Sequence, residues 1–148
     1  MNIKVGDQIP VWVMEQVSLE KMKTMAAILR DPNPVHWDRS SVKAMGMGER
    51  TINQGPTGFS YMINMLYAWV GPDSLRRLKM TFPKAIFNDE RIVAKGEVTA
   101  IRPMDSETLA DCKIWLERGE NDHPLIGTAT VKLPDDWTFQ GAENLVKN

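Results

Sequence analysis

Hydrophobic positions change their period along this chain, and the change divides it into two halves. Before residue 71 the apolar residues recur at helical spacing. Ser18 is placed to cap a helix over "LEKMKTMAAILR", in which Leu19, Met22, Met25, Ala26 and Leu29 share one face. "DRSSVKAMGMG" reads as a short helix closed by Gly46 or Gly48. Residues 54–71, "QGPTGFSYMINMLYAWVG", contain no charged side chain. Phe59, Met62, Ile63, Leu66, Tyr67 and Val70 follow the helical spacing, and the remaining faces are weakly polar. A helix so apolar all round is expected to be buried on nearly every side. Gly55 and Pro56 mark its first turn, where proline is well suited.

After Gly71 the period becomes two, and one short run near the start, "VWVMEQV", reads the same way as a first strand. "SLRRLKMTF" sets Leu78, Met80 and Phe82 on one face, and "RIVAKGEVTAI" carries Lys95, Glu97 and Thr99 on its polar face. "TLADCKIWLE" opposes Ala110, Cys112, Ile114 and Leu116 to Asp111, Lys113 and Glu117, and "LIGTATVKL" repeats the pattern. Half-apolar strands joined by short turns predict an antiparallel sheet with one covered face, and the apolar helix is the obvious cover. The class is α+β, helix on sheet, in one domain spanning 1–148. The tail "GAENLVKN" is polar and is expected to fray.

Composition narrows the function. The chain has 148 residues, is 43% hydrophobic and 25% charged, and carries a net charge of −1, with no basic stripe of the kind that binds nucleic acid. Its single cysteine, Cys112, excludes an internal disulfide, and no Cys/His cluster suggests zinc. No apolar run reaches the roughly 18 residues that span a bilayer. "MNIKVGDQIP" lacks the pattern of a signal peptide, so a soluble, cytoplasmic chain is expected.

Chemistry concentrates in "RDPNPVHWD", residues 30–38. Pro32 and Pro34 fix the backbone and hold Asp31 and Asn33 out of the helical region. A segment kinked in this way can turn Asp31 and His36 toward one pocket, where a carboxylate and an imidazole polarise a water between them. The plainer alternative is that Asp31 caps a turn, Asn33 bonds local backbone, and His36 is a half-buried polar residue. As a metal cage, Asp31, Asn33, His36 and Asp38 are poor, with one imidazole and two prolines. Some twenty residues on, "NQGPTG" opens the apolar helix. There the Gly55 N–H, with no side chain in front of it, can receive an oxygen that becomes negative during reaction. A tight helix start is the alternative for Gly55.

The stretch "AAILRDPNPVHWDRSSVKAMGMGERTINQGPTGF" resembles the MaoC-like hydratases, the R-specific enoyl-CoA hydratase family of hot-dog proteins. The resemblance implies an antiparallel sheet wrapped around a long central helix. It matches Asp31 and His36 to the catalytic pair, Asn33 to the motif asparagine, and Gly55 to the oxyanion glycine. It further implies that Gln54, Pro56 and Ser60 border the substrate. Arg30 stands where the family usually has glycine, Gln54 where it has histidine, and Ile63 where a hydroxyl residue is usual. "RD…VHWDR" with "WVGPDSL" is similar to the small hydratase subunits of steroid side-chain β-oxidation.

The activity implied is hydration of a trans-2-enoyl-CoA, in fatty-acid or steroid side-chain β-oxidation, with no metal or cofactor beyond the CoA of the substrate. The chain is expected to work as a homodimer, or as a hetero-oligomer with another MaoC-like chain that completes an otherwise inactive subunit. A hot-dog thioesterase would need a carboxylate near the central helix, and residues 54–71 offer none.

Overall fold

Alternation along the second half of the chain produces four strands, and a fifth comes from the N-terminal part. The computed structural model describes residues 3–135; the polar tail lies outside the described residues. The strands are β1 (Trp12–Met14), β2 (Leu75–Thr81), β3 (Ile92–Met104), β4 (Glu107–Glu117) and β5 (Leu125–Lys132). They form one antiparallel sheet in the order β1-β3-β4-β5-β2. A tight turn at Asp105, held at φ 53°, closes the long β3–β4 hairpin.

The helices are α1 (Leu19–Leu29), α2 (Arg39–Ala44) and α3 (Gly55–Val70). On α3, Met62, Met65 and Leu66 are fully buried, packed in one core with Val98, Ala110, Cys112, Ile114, Ala129 and Val131 of the sheet. Side chains of this size each stabilise the fold by about 1.5–3 kcal/mol when removed from water. Met22 and Ala26 close the core from α1, whose first turn Ser18 caps by accepting from Lys21 N–H. The arrangement is the expected hot-dog: a sheet curved around one long helix.

Three expectations need correction. Helix α3 is not enclosed on nearly every side, because five strands cover one side only; Pro56, Asn64, Tyr67 and Ala68 are exposed. Strand β1 has only three residues, since only Trp12–Met14 find partners, Ala94, Val93 and Ile92, on β3. Phe82 does not continue the buried face of β2; the strand ends at Thr81 and the ring is half exposed. Among the described residues no helix is long and apolar enough to cross a membrane.

Candidate active site

The acid is placed by the end of α1. Arg30 adopts the left-handed region, φ 52° and ψ 41°, and its N–H returns to Ala26 and Ala27 carbonyls. Asp31 N–H then donates to Ala26 O at 2.9 Å, which completes a Schellman turn and fixes the direction of the Asp31 backbone. Asp31 Oδ1 accepts from Asn33 N–H at 3.0 Å, and Asn33 Oδ1 accepts from Val35 N–H at 3.3 Å. These two local bonds start a short 3₁₀ turn, Pro34–His36, with Pro34 as its first residue.

The imidazole is placed by the strand-like segment before α3. Ile52 N–H donates to Val35 O at 2.9 Å, and Ile52 O receives His36 Nδ1 at 2.6 Å. A carbonyl only accepts, so Nδ1 carries the proton and the Nε2 lone pair of the neutral ring is free. Nε2 lies 3.4 Å from Asp31 Oδ2. Both side chains are partly buried, 15% exposed for His36 and 29% for Asp31. Two acceptors face one another there, an arrangement that calls for a shared proton or for a water donating to both.

His36 also lines a cavity of about 360 Å³ at the start of α3. Its apolar wall is Ile52, Phe82, Ala85, Ile86 and Leu125, and Lys84 stands at the rim in an ion pair with Asp122 (2.7 Å). Gly55 lines the same cavity. Thr57 and Gly58 N–H donate to Gln54 O, both at 3.1 Å, and Pro56 has no N–H. The Gly55 N–H is therefore the first-turn donor left without a protein partner among the described residues, at the positive end of a 16-residue helix. Its φ is not positive, and an added Cβ would meet Phe82 at an ordinary 3.5 Å. Neither backbone nor packing requires glycine at this position.

The remaining residues singled out in the sequence have other duties. Gln54 borders the cavity, but it is 1% exposed and its Nε2 donates to Met22 O at 2.8 Å, tying α3 to α1. Asn33 uses its side chain to build the turn. Pro56 is exposed and does not line the cavity, and Ser60 donates to Thr57 O at 2.7 Å within its own helix. Asp38 caps α2, and hydrogen bonds from Ser41 and Ser40 hold its carboxyl below the ordinary value.

Sequence reasoning missed the supports. Asn88, fully buried, accepts from Thr51 N–H (2.8 Å) and Thr51 Oγ (3.0 Å), while its own N–H donates to Thr51 O (3.0 Å). Glu90, 9% exposed at its side chain, accepts from Arg118, from Phe87 N–H and pairs with Arg50. Both residues fasten the loop that carries Ile86, whose carbonyl receives Asn53 N–H at 2.7 Å. Asn53 lines the cavity, and its Oδ1 is closed off from solvent without a partner. Asn88 and Glu90 sit in a polar run, "FNDERI", which reads as an ordinary turn.

Fold and site together define a hot-dog protein with a carboxylate–imidazole pair beside the exposed start of its central helix. The MaoC like domain model matches residues 6–113, and the chain belongs to that MaoC-like dehydratase family. None of the curated proteins matches the chain significantly. Solved structures similar to it include the (R)-hydratase from A. caviae involved in PHA biosynthesis, 23% identical with a TM-score of 0.78, covering 89% of this chain and 98% of that one. The ChsH1-ChsH2 complex from Mycobacterium tuberculosis is similar at 20% identity and a TM-score of 0.74, covering 88% and 98%. R-Hydratase PhaJ1 from Pseudomonas aeruginosa is similar at 17% identity and a TM-score of 0.73, covering 90% and 84%.

Proposed function

We propose that this chain hydrates trans-2-enoyl-CoA thioesters to 3-hydroxyacyl-CoA, and that it catalyses the reverse dehydration through the same groups. The observation that carries the reading is the 3.4 Å Asp31–His36 pair, whose imidazole shares one cavity with the unpartnered Gly55 N–H. Gly55 N–H receives the thioester oxygen, which draws electrons from C3 and stabilises the enolate as it forms. Asp31 Oδ2 and His36 Nε2 hold one water, each accepting one of its hydrogens, so that a lone pair of the water points at C3. Its oxygen bonds to C3 as the C2–C3 π pair moves onto the thioester. The proton it loses passes to the Asp31–His36 pair, with Asp31 as base, and from the pair to C2. The pair ends the cycle as it began. Asp31→Asn and His36→Ala should each slow hydration of crotonyl-CoA or a longer enoyl-CoA by about 10²–10⁴-fold, the usual contribution of a placed acid or base. Turnover within a few-fold of the parent by both variants would overturn the mechanism.

A second reading has a specific support. Phe82, which walls the cavity, is 50% exposed on the single chain, and it follows β2, an edge of the sheet. A second MaoC-like chain covering that rim would complete the acyl pocket, and the similarity to a two-component complex points the same way. Size-exclusion chromatography with the hydratase assay separates the cases: an active homodimer refutes the need for another chain, and a folded but inactive one supports it.

A further inference from the structure

A second concavity, lined by Asp31 and not by His36, is a groove of about 340 Å³ bordered also by Lys23, Ala27, Arg30, Pro32 and Trp37. Arg30 holds a left-handed backbone, φ 52°, where a residue with a side chain is strained and glycine is not. The Schellman bonds to Ala26 and Ala27 hold that backbone, but they do not use the Arg30 side chain. Among the described residues the guanidinium makes no hydrogen bond or ion pair, and it is exposed. Trp37 presents an indole that is 39% exposed beside it, and Lys23 adds a second cation, shared with Glu20 at 2.8 Å. The carboxylate in the groove accepts from Asn33 N–H at Oδ1 and turns Oδ2 to the imidazole, 3.4 Å away. What remains open is a flat aromatic face flanked by fixed positive charge. That chemistry suits a purine carrying phosphates.

We infer that Arg30 and Trp37 form the subsite for the phosphorylated adenosine of coenzyme A, with Trp37 under the base and Arg30 on a phosphate. The inference rests on the hydratase reading for its ligand and deepens it: the acyl chain takes the apolar cavity, the nucleotide takes the groove, and the reacting carbons cross the pair between them. An acidic carrier protein would use the cations but has no need of the concave aromatic face.

The test compares one enoyl chain on coenzyme A, on acyl carrier protein and on N-acetylcysteamine, for the parent, Arg30→Gly and Trp37→Leu. The ratio of kcat/KM values, CoA ester over truncated ester, should fall about fivefold in Arg30→Gly, the upper end for an exposed ion pair. It should fall about tenfold in Trp37→Leu, a common value for one stacked base. Adenosine 3′,5′-bisphosphate, titrated calorimetrically into each protein, should bind the parent and lose affinity in the same order. Arg30→Gly should melt at a higher temperature than the parent, which shows that the loss is not one of folding. Unchanged ratios overturn the inference, and so does a loss confined to acyl carrier protein substrates, which would assign the groove to carrier docking. Should the parent hydrate no thioester, the hydratase reading fails. The bisphosphate titration still decides the groove: binding lost in Arg30→Gly upholds it, and no binding refutes it.

Discussion

Replacing Asn88 by alanine removes its carboxamide, and the structure allows the cost of losing the oxygen to be worked out. That oxygen accepts both the N–H and the hydroxyl of Thr51, at 2.8 and 3.0 Å, and neither Asn88 nor Thr51 has any exposed surface. Water cannot replace the acceptor without opening the loop. An unpartnered buried donor costs about 1–3 kcal/mol, and the Thr51 hydroxyl can rotate to recover part of its share. The expected loss is therefore about 2–4 kcal/mol, a large fraction of the stability of a typical domain. In urea, with a slope near 2 kcal/mol/M, the midpoint should fall by about 1–2 M at unchanged slope.

Activity should fall further than stability requires. Thr51 precedes Ile52, whose carbonyl receives His36 Nδ1 at 2.6 Å, so a looser Thr51 lets the imidazole swing. Misplacement of this kind costs up to about 10²-fold in rate. The assay is a urea titration followed by circular dichroism, paired with a turnover measurement under conditions where the variant is fully folded. A Thr51→Val cycle isolates the hydroxyl. A midpoint within 0.2 M of the parent would refute the reasoning, and so would additive losses in the double variant.

Gln54→Leu should cost about 1–2 kcal/mol in the same titration, because its amide ties α3 to Met22 O from a fully buried position; a change in KM with stability intact would return Gln54 to substrate binding. Burial, with Asp111 beside it, pushes the Cys112 thiol up to about 12, so at pH 8 a disulfide reagent should label it only as fast as the protein unfolds. Rapid stoichiometric labelling in native buffer would contradict this. Burial works against the Asp111 charge, but hydrogen bonds from Arg102 and Thr130 outweigh it and hold the carboxyl below its ordinary 3.8. A depressed folded value means stability is gained above the unfolded value and lost as pH falls through the folded one. Melting temperatures should therefore drop below about pH 4, and Asp111→Asn should flatten that drop.

How much of this was legible beforehand depends on the range of the interaction. The strands announced themselves through alternation, since each residue pair reports its own face. The start of α3 was written locally in Gly55 and Pro56. The approach of Asp31 to His36 was legible too, because two prolines and an asparagine confine the intervening backbone within a few residues. The supports were not legible. Asn88 meets Thr51 across 37 positions and Gln54 meets Met22 across 32, and no local pattern encodes such a meeting. The tie from Gln54 to α1 was hidden for a related reason: an amide at the mouth of a helix looks the same whether it binds a ligand or a neighbouring helix. Arg30 hid the end of α1, because the residue that normally marks a left-handed cap is glycine.

The polar groups around the cavity separate once their bonds are counted, and the separation bears on chemistry. Thr51, Gln54, Ser60 and Asn88 have each spent their capacity inside the protein. Asn53 Oδ1 lacks a partner but has no access to solvent. Lys84 at the rim apart, three groups among the described residues keep capacity: Gly55 N–H, His36 Nε2 and Asp31 Oδ2. One is a donor without a proton to give up, and two are acceptors close enough to share a single water. A donor for a developing enolate, set beside acceptors for the hydrogens of water, is what reversible addition across a conjugated double bond requires.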